Sequence, residues 1–295
     1  YFCKAYSYLY RRYLPQTRLT SNLYACSSFP HEQRKALYRE LKEGNYDVII
    51  GVHAPLAIRL ASCRRHLRGT RLIGWIHNSY EALFGEGSLY IGPELCKHYE
   101  FQLAKLDHTI VLCRDDAQKY HITTEVIYNP LTLVPGPPSE GTSKKFLAVG
   151  RFSRLHKGFD LLIEAFRIFA QDNKEWTLDI VGEGVEEPLY RKYIKEYQLQ
   201  ERIHIHPFTN NIQQYYHEAQ AYVLSSRWEG FGLVLVEAMA HGLPIISSNL
   251  PTSKEILGDF GLYFVNGDVN GIARQMHAAT QLDWNSTSRK AIEIR

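Results

Sequence analysis

Phe146-Leu-Ala-Val-Gly-Arg-Phe-Ser-Arg-Leu-His-Lys-Gly-Phe-Asp160 decides how the chain is read. A short apolar run ends in glycine, as a buried parallel strand does, and a loop with Arg151, Arg154 and Lys157 follows. From Phe159 the apolar residues Leu162, Ile163, Phe166 and Phe169 recur at helical spacing. Strand, loop and helix in this order form the repeating unit of an open α/β sheet, and the pattern continues downstream. Strands are predicted over Thr177–Val181, Ile203–His206 and Ala221–Leu224, with extended chain over 244–247. Helices are predicted over 187–197, Ile212–Glu218, Leu233–Ala240 and 252–257.

Upstream, the same alternation is weaker. Strands are predicted over 46–51, 71–77, 107–112 and 125–128, with helices near 31–42, 55–65 and 93–105. Between the two halves lies a stretch dense in Pro, Gly, Ser and Thr that fits no regular element and reads as a linker. The expected organisation is an N-terminal domain over 1–131, a linker over 132–144 and a C-terminal domain over 145–295.

Composition narrows the function. With 45% apolar and 22% charged residues the 295-residue chain is globular, and a net charge of +3 is too small for a dedicated nucleic-acid binder. Arg59, Arg64, Arg65, His66, Arg68 and Arg71 follow one another with no acidic residue between them. That run is either a solvated basic face or a patch for anionic lipid or a phosphorylated acceptor. Cys3, Cys26, Cys63, Cys96 and Cys113 are odd in number and contain no C-x-x-C pair, so zinc and thioredoxin-type chemistry lack support and a reducing compartment is expected. No stretch approaches the ~20 apolar residues that cross a bilayer, and Lys4, Arg11 and Arg12 interrupt any signal-peptide pattern. A cytoplasmic protein is expected, touching the membrane at most peripherally through 59–71.

Open α/β sheets bind ligands beyond the carboxyl ends of their strands, which directs attention to two loops. The first is 150–158, whose cations lead into a helix N-terminus and would suit a diphosphate. The second is Glu229-Gly-Phe-Gly-Leu-Val-Leu-Val-Glu-Ala-Met-Ala240. Gly230 and Gly232 permit close backbone approach, and the first free N–H groups near Gly232 and Leu233 would face a phosphate. Glu229 and Glu237 lie roughly 12 Å apart at most, too far for the paired carboxylates of a glycoside hydrolase, which need about 5 to 9.5 Å. They suit the two hydroxyl-bearing ends of one ligand with a diphosphate between.

Glu229 and Glu237 match the E-x7-E signature, and the chain here resembles the retaining glycosyltransferases of the GT-B fold, family GT4 (glycosyl transferases group 1). The Gly-Arg to Lys-Gly loop at 150–158, Val181-Gly-Glu-Gly184, Pro207-Phe208, Gly242-Leu-Pro244 and Pro251-Thr-Ser-Lys-Glu-Ile256 follow in the family's order. The likeness is strong over 146–280 and weaker over 71–131. It implies two Rossmann-like, doubly wound domains facing a cleft. It also implies that Arg151 and Lys157 bind the donor diphosphate, that Phe231, Gly232 and Leu233 contact sugar and phosphates through their backbone, and that Glu237 takes the ribose hydroxyls. By the same resemblance Glu229 holds the transferred sugar, Phe208 borders the base, and His77 lies near the reacting sugar.

The implied reaction moves a hexose, with retention, from a nucleoside-diphosphate sugar to a saccharide or lipid-linked acceptor of surface polysaccharide, UDP-sugar being favoured. Front-face attack is implied, the leaving diphosphate helping to deprotonate the acceptor. No Asp-x-Asp occurs, which fits catalysis without a metal, and no cofactor is expected because the nucleotide sugar is a substrate. The family's opening strand and glycine-rich loop have no counterpart in 1–41, and its terminal crossing helix is not evident beyond Thr280. A non-catalytic nucleotide-sugar-binding protein therefore remains the alternative. A nicotinamide-dependent oxidoreductase is disfavoured, because Gly182-Glu-Gly184 lacks the third glycine of the fingerprint.

Overall fold

Val48–Val52 (β1), Arg71–Trp75 (β2), His108–Val111 (β3) and Glu125–Val126 (β4) pair in parallel, in that order. They belong to the first of two units, Tyr1–Asn129 and Pro130–Arg295, in a computed structural model that describes residues 2–88 and 90–294. Every connection in the sheet steps the same way, and right-handed crossovers then carry all the connecting helices to one face. Exposure along β1 follows from this. Val48, Ile50 and Val52 are 45%, 46% and 38% exposed, whereas Leu72 on β2 is buried against Leu60, Cys63 and Leu67. Among the described residues this sheet keeps the order β1-β2-β3-β4, one of the two parallel sheets that were expected.

Three helices precede β1: Phe2–Arg12, Arg18–Ser28 and His31–Glu43. The sequence reading anticipated only the third. Thr17 and Thr20 form a reciprocal capping box that starts the second helix. Tyr10 stacks on Tyr24 with ring centroids 4.5 Å apart, both rings buried. Polar residues dilute the apolar pattern of this hairpin, so tertiary packing of a few tyrosines holds it. The predicted helix over 93–105 is a single 3-10 turn at Pro93–Leu95 followed by Cys96–Leu103.

In the second unit Lys145–Val149 (β5), Thr177–Val181 (β6), Ile203–His206 (β7), Ala221–Leu224 (β8), Ile245–Ser248 (β9) and Leu262–Phe264 (β10) are all parallel. Their spatial order is β10-β9-β8-β5-β6-β7. The chain works outward from β5 to β7, returns to the other side of β5 at β8, and continues to β10. That reversal covers both faces with helices and explains the almost continuous apolar runs in these strands. The Phe159–Phe169 helix buries Phe159, Leu162, Ile163, Ala165, Phe166 and Phe169, each large side chain contributing roughly 1.5–3 kcal/mol. Phe146, Phe169 and Trp176 pack ring on ring beneath it.

Two sequence expectations change here. The segment read as a linker over 132–144 lies within the second unit. Ser139 donates its N–H to the His241 carbonyl at 2.9 Å and its hydroxyl to the Ala219 carbonyl, and the Gly136 N–H reaches His241 Nε2 at 3.3 Å. A chain without ladder partners has satisfied its backbone on neighbouring loops. Beyond Thr280, where no element was expected, a helix spans Trp284–Ile294, buries Ala291 and packs on the Leu233–Ala240 helix. Of the cysteines, Cys26, Cys63 and Cys96 are free thiols, the Cys113 sulfur accepts the Asp116 N–H, and the Cys3 side chain lies outside the described residues.

Candidate functional site

In the six-stranded sheet the strand order reverses between β5 and β8, the position at which open α/β sheets take their ligands. The loop after β5 is 150–158, and the loop after β8 carries Ser225, Ser226 and Glu229. Gly158 joins them. Its φ of +64° lies in the left-handed region, and a Cβ there would sit 2.3 Å from the Ser225 carbonyl oxygen. Glycine is required for that approach, and the Ser225 hydroxyl then donates to the Lys157 carbonyl at 2.8 Å.

This closure brings Lys157 against Glu229. The ammonium donates to Glu229 Oε1 at 2.6 Å, and the Ser226 hydroxyl donates to the same oxygen at 2.6 Å. The carboxylate is 8% exposed and the Lys157 side chain 13%. Burial is the largest single influence on Glu229 and works to raise its pKa. The Lys157 charge, with both hydrogen bonds, outweighs it and holds the group below the ordinary carboxylate value. His156, beside them, is pushed down by burial and by the Lys157 charge, so it stays neutral. Arg227, on the same loop, is held by Asp160 through two contacts of 3.2 Å. Arg151 is exposed at the start of the loop.

Next comes the helix Leu233–Ala240, with Gly232 at its N-cap in the left-handed conformation (φ +84°) and no side-chain cap. Its first N–H groups have no partner within the helix and carry the positive end of the helix dipole. One turn further along, Glu237 accepts a hydrogen bond from the Tyr216 hydroxyl at 2.7 Å. Burial raises its pKa, with the Tyr216 hydrogen bond opposing. Thus Glu229 and Glu237 have separate partners on either side of the helix N-terminus. Phe231 is buried, Leu233 is half-buried, and Phe208, after β7, stands 62% exposed.

The sequence reading named Arg151, Lys157, Phe208, Phe231, Gly232, Leu233, Glu229 and Glu237, all of which fall in the loops and helix start that follow β5, β7 and β8. It did not foresee that Lys157 and Glu229 are each other's partners. Nor did it name Ser226 or Tyr216, which fix the two glutamates. Ser226 was within reach of the strand-end rule, since it follows β8 by two residues; Tyr216 was not, because its contact spans 21 positions.

His77 belongs to the first unit, two residues past β2. Its ring lies 5.2 Å from His53 and 5.1 Å from Trp75, and burial, then the neighbouring His53, lowers its pKa. His53, not anticipated, follows β1 by one residue and holds φ at +66°, a costly conformation for a side chain with a Cβ. Its legible signal was position: a histidine just past each of two adjacent strands. The basic run from Arg59 to Arg71 is not one face. Arg64 forms a bidentate pair with Asp107 at 2.8 and 2.9 Å, His66 lies against Tyr38, and Arg59 crosses the Phe29 ring; Arg65, Arg68 and Arg71 are exposed.

Comparison with known proteins agrees with this architecture. Residues 134–293 match the family described as glycosyl transferases group 1. An uncharacterized glycosyltransferase of Haemophilus influenzae is 29% identical over 252 residues, covering 80% of this chain and 69% of that protein. The lipopolysaccharide 1,6-galactosyltransferase of Salmonella typhimurium is 31% identical over 131 residues, 42% of this chain and 36% of that protein. Among solved structures, HepE of Anabaena in complex with UDP and glucose superposes with a TM-score of 0.73 at 20% identity, covering 89% of this chain and 75% of that one. The chain thus spans from about a third to three quarters of these proteins. The structural likeness concerns the fold, and the sequence match covers more than half of the chain: this protein belongs to the glycosyl transferases group 1 family.

Proposed function

We propose that the protein is a retaining, metal-independent hexosyltransferase that takes its sugar from a UDP-sugar and acts in surface polysaccharide or lipopolysaccharide synthesis. The observation that carries this reading is the buried Lys157–Glu229 pair at the strand-order reversal, beside an uncapped helix N-terminus. A diphosphate on that N-terminus would draw Lys157 and the exposed Arg151. Leaving-group charge grows in the transition state, so fixed cations there accelerate departure of the nucleoside diphosphate. Glu229, released from part of its pairing, would accept hydroxyls of the sugar. Glu237, held by Tyr216, would accept those of the ribose, and the exposed Phe208 would lie against the base. His77 keeps its proposed role near the reacting sugar. Relatives named for a lipopolysaccharide galactosyltransferase and a UDP-and-glucose complex support the acceptor class and the base. Contact with an anionic membrane falls to Arg65, Arg68 and Arg71.

The test is calorimetric titration with UDP-, GDP- and ADP-sugars, followed by assay of nucleoside diphosphate release with saccharide and lipid-linked acceptors. Binding of a UDP-sugar with acceptor-dependent release is expected. Failure of all three donors to bind sinks the site; binding without release, across acceptors, sinks the transferase reading in favour of a nucleotide-sugar-binding protein.

A further inference from the structure

His241 is wholly buried, one residue past the Leu233–Ala240 helix and four after Glu237. Two hydrogen bonds fix where its imidazole carries a proton. The Gly136 N–H can only donate, and it reaches Nε2 at 3.3 Å, so Nε2 is the accepting nitrogen. The ring is then neutral, with its proton on Nδ1, which donates to the Glu237 carbonyl at 2.8 Å. In a continuing helix that carbonyl would take the backbone N–H of residue 241. Here the His241 N–H turns to the Ala238 carbonyl at 3.1 Å, and the side chain serves Glu237 in its place.

The same imidazole stacks on the Tyr216 ring, with centroids 5.1 Å apart and planes 18° apart, and Tyr216 is wholly buried too. Tyr216 in turn donates its hydroxyl to Glu237 Oε2 at 2.7 Å. Glu237 is therefore gripped twice by one stacked pair, its main chain by His241 and its carboxylate by Tyr216. A displaced imidazole disturbs both supports together.

Behind the ring lies a stiff strap. In Pro135-Gly-Pro-Pro-Ser139 only Gly136 and Ser139 possess an N–H, because proline has none. Both end on His241, the first at Nε2 and the second at the carbonyl, 2.9 Å away. The prolines fix φ along this stretch, so the strap has little freedom to follow a moving ring. It is tied down further where His217 Nδ1 donates to the Pro138 carbonyl at 2.9 Å and the Ser139 hydroxyl donates to the Ala219 carbonyl.

We propose that His241 is a positioning residue of the donor site: with its proton on Nδ1 it holds Glu237 where that carboxylate meets the ribose hydroxyls of the donor. The proposal rests on the ribose role given to Glu237 above. It adds a buried residue that governs affinity for the nucleoside part of the donor and leaves affinity for the diphosphate alone.

The test titrates the whole chain by calorimetry with UDP, its 2′,3′-dideoxy analogue and pyrophosphate. The wild type is expected to prefer UDP to the dideoxy analogue by about fivefold or more. His241→Phe keeps a ring beside Tyr216 and removes both hydrogen bonds. It should lose that preference, bind UDP about fivefold more weakly and bind pyrophosphate as the wild type does. In a transfer assay its donor KM should rise with kcat near wild type. Equal weakening of all three ligands, or unchanged UDP affinity in His241→Phe, overturns the proposal, while a wild-type preference for UDP keeps Glu237 at the ribose. Absence of UDP binding, or of that preference, in the wild type sinks the donor-site reading and the proposal with it. A ¹⁵N spectrum of labelled wild-type imidazoles is independent of folding damage in the variant: His241 is expected to show a protonated Nδ1 and a bare Nε2, and a proton on Nε2 overturns the proposal.

Discussion

The two units use the same strand-and-helix alphabet, yet their sheets differ in winding. The four-stranded sheet never reverses, and the six-stranded sheet reverses between β5 and β8. Reversal places the loops after β5 and β8 side by side, where Gly158 packs on Ser225 and Lys157 meets Glu229 next to a helix N-terminus. It also surrounds the strands with helices, so a charged pair such as Lys157–Glu229 is buried where it forms. In the one-way sheet the outer face of β1 stays open to solvent, and the buried ionisable groups of this unit include His98 and Asp116 on its helices. The lesson is that sheet order decides where each unit can bury a charge.

The largest effect is expected at the buried pair. Lys157→Ala strands the Glu229 carboxylate and should cost about 3–5 kcal/mol of stability, together with roughly 100-fold in turnover. The double variant Lys157→Met with Glu229→Gln should recover most of the stability and none of the turnover. Chemical denaturation beside a transfer assay checks both, and a Lys157→Ala protein as stable as wild type would break the contrast between the units. Glu229, with its pKa held low, contributes stability that is fully present above the ordinary carboxylate value and is lost as pH falls through the lower folded value.

The first unit should answer to pH differently. His98 titrates near 4 in the fold against 6.5 when unfolded, so the unfolded chain binds more protons between those values and stability falls as pH drops through that window. Asp116, raised to about 6 by burial despite the Tyr80 N–H that it accepts, acts in the opposite sense, stabilising the fold as pH drops from about 6. Each shift is worth up to about 3 kcal/mol, and in the wild type they largely cancel. Asp116→Asn should therefore become acid-labile below pH 6, and His98→Gln should gain stability over the same range. Hydrogen exchange resolved by unit reads this out; parallel pH profiles for the two variants would refute the assignment.

A smaller effect is expected at His53. Replacing it with glycine removes a strained φ and should stabilise the fold by about 1 kcal/mol, while lowering turnover if the His53–His77 contact serves the reaction. Stabilisation with unchanged kcat would mark the strain as incidental. Smallest of all, Tyr216→Phe removes one hydrogen bond to Glu237, worth about 1 kcal/mol. Donor KM should rise by a few-fold with kcat near wild type, and an unchanged KM would remove Glu237 from the ribose.

Legibility in the sequence followed the same division. In the second unit Thr177–Val181, Ile203–His206, Ile212–Glu218, Ala221–Leu224 and Leu233–Ala240 fall where periodicity puts them. Strands buried on both faces are uniformly apolar, and Gly158 and Gly232 punctuate their loops. The N-terminal hairpin was missed because its helices hold together through a few tyrosines and a threonine capping box. The helix after Thr280 was missed because its buried face is small, with Ala291 at its centre.

By itself the sequence determined the parallel α/β class, the strand ends followed by glycine-bearing and charged loops, and the residue types at each of them, because local periodicity and glycine placement are properties of short segments. Only the tertiary structure decided that Lys157 pairs with Glu229, that Tyr216 fixes Glu237, and that Gly136 meets His241. Those relations join residues 21 to 105 positions apart, and the choice of partner at such separations is made by strand order and helix packing, which no local pattern encodes.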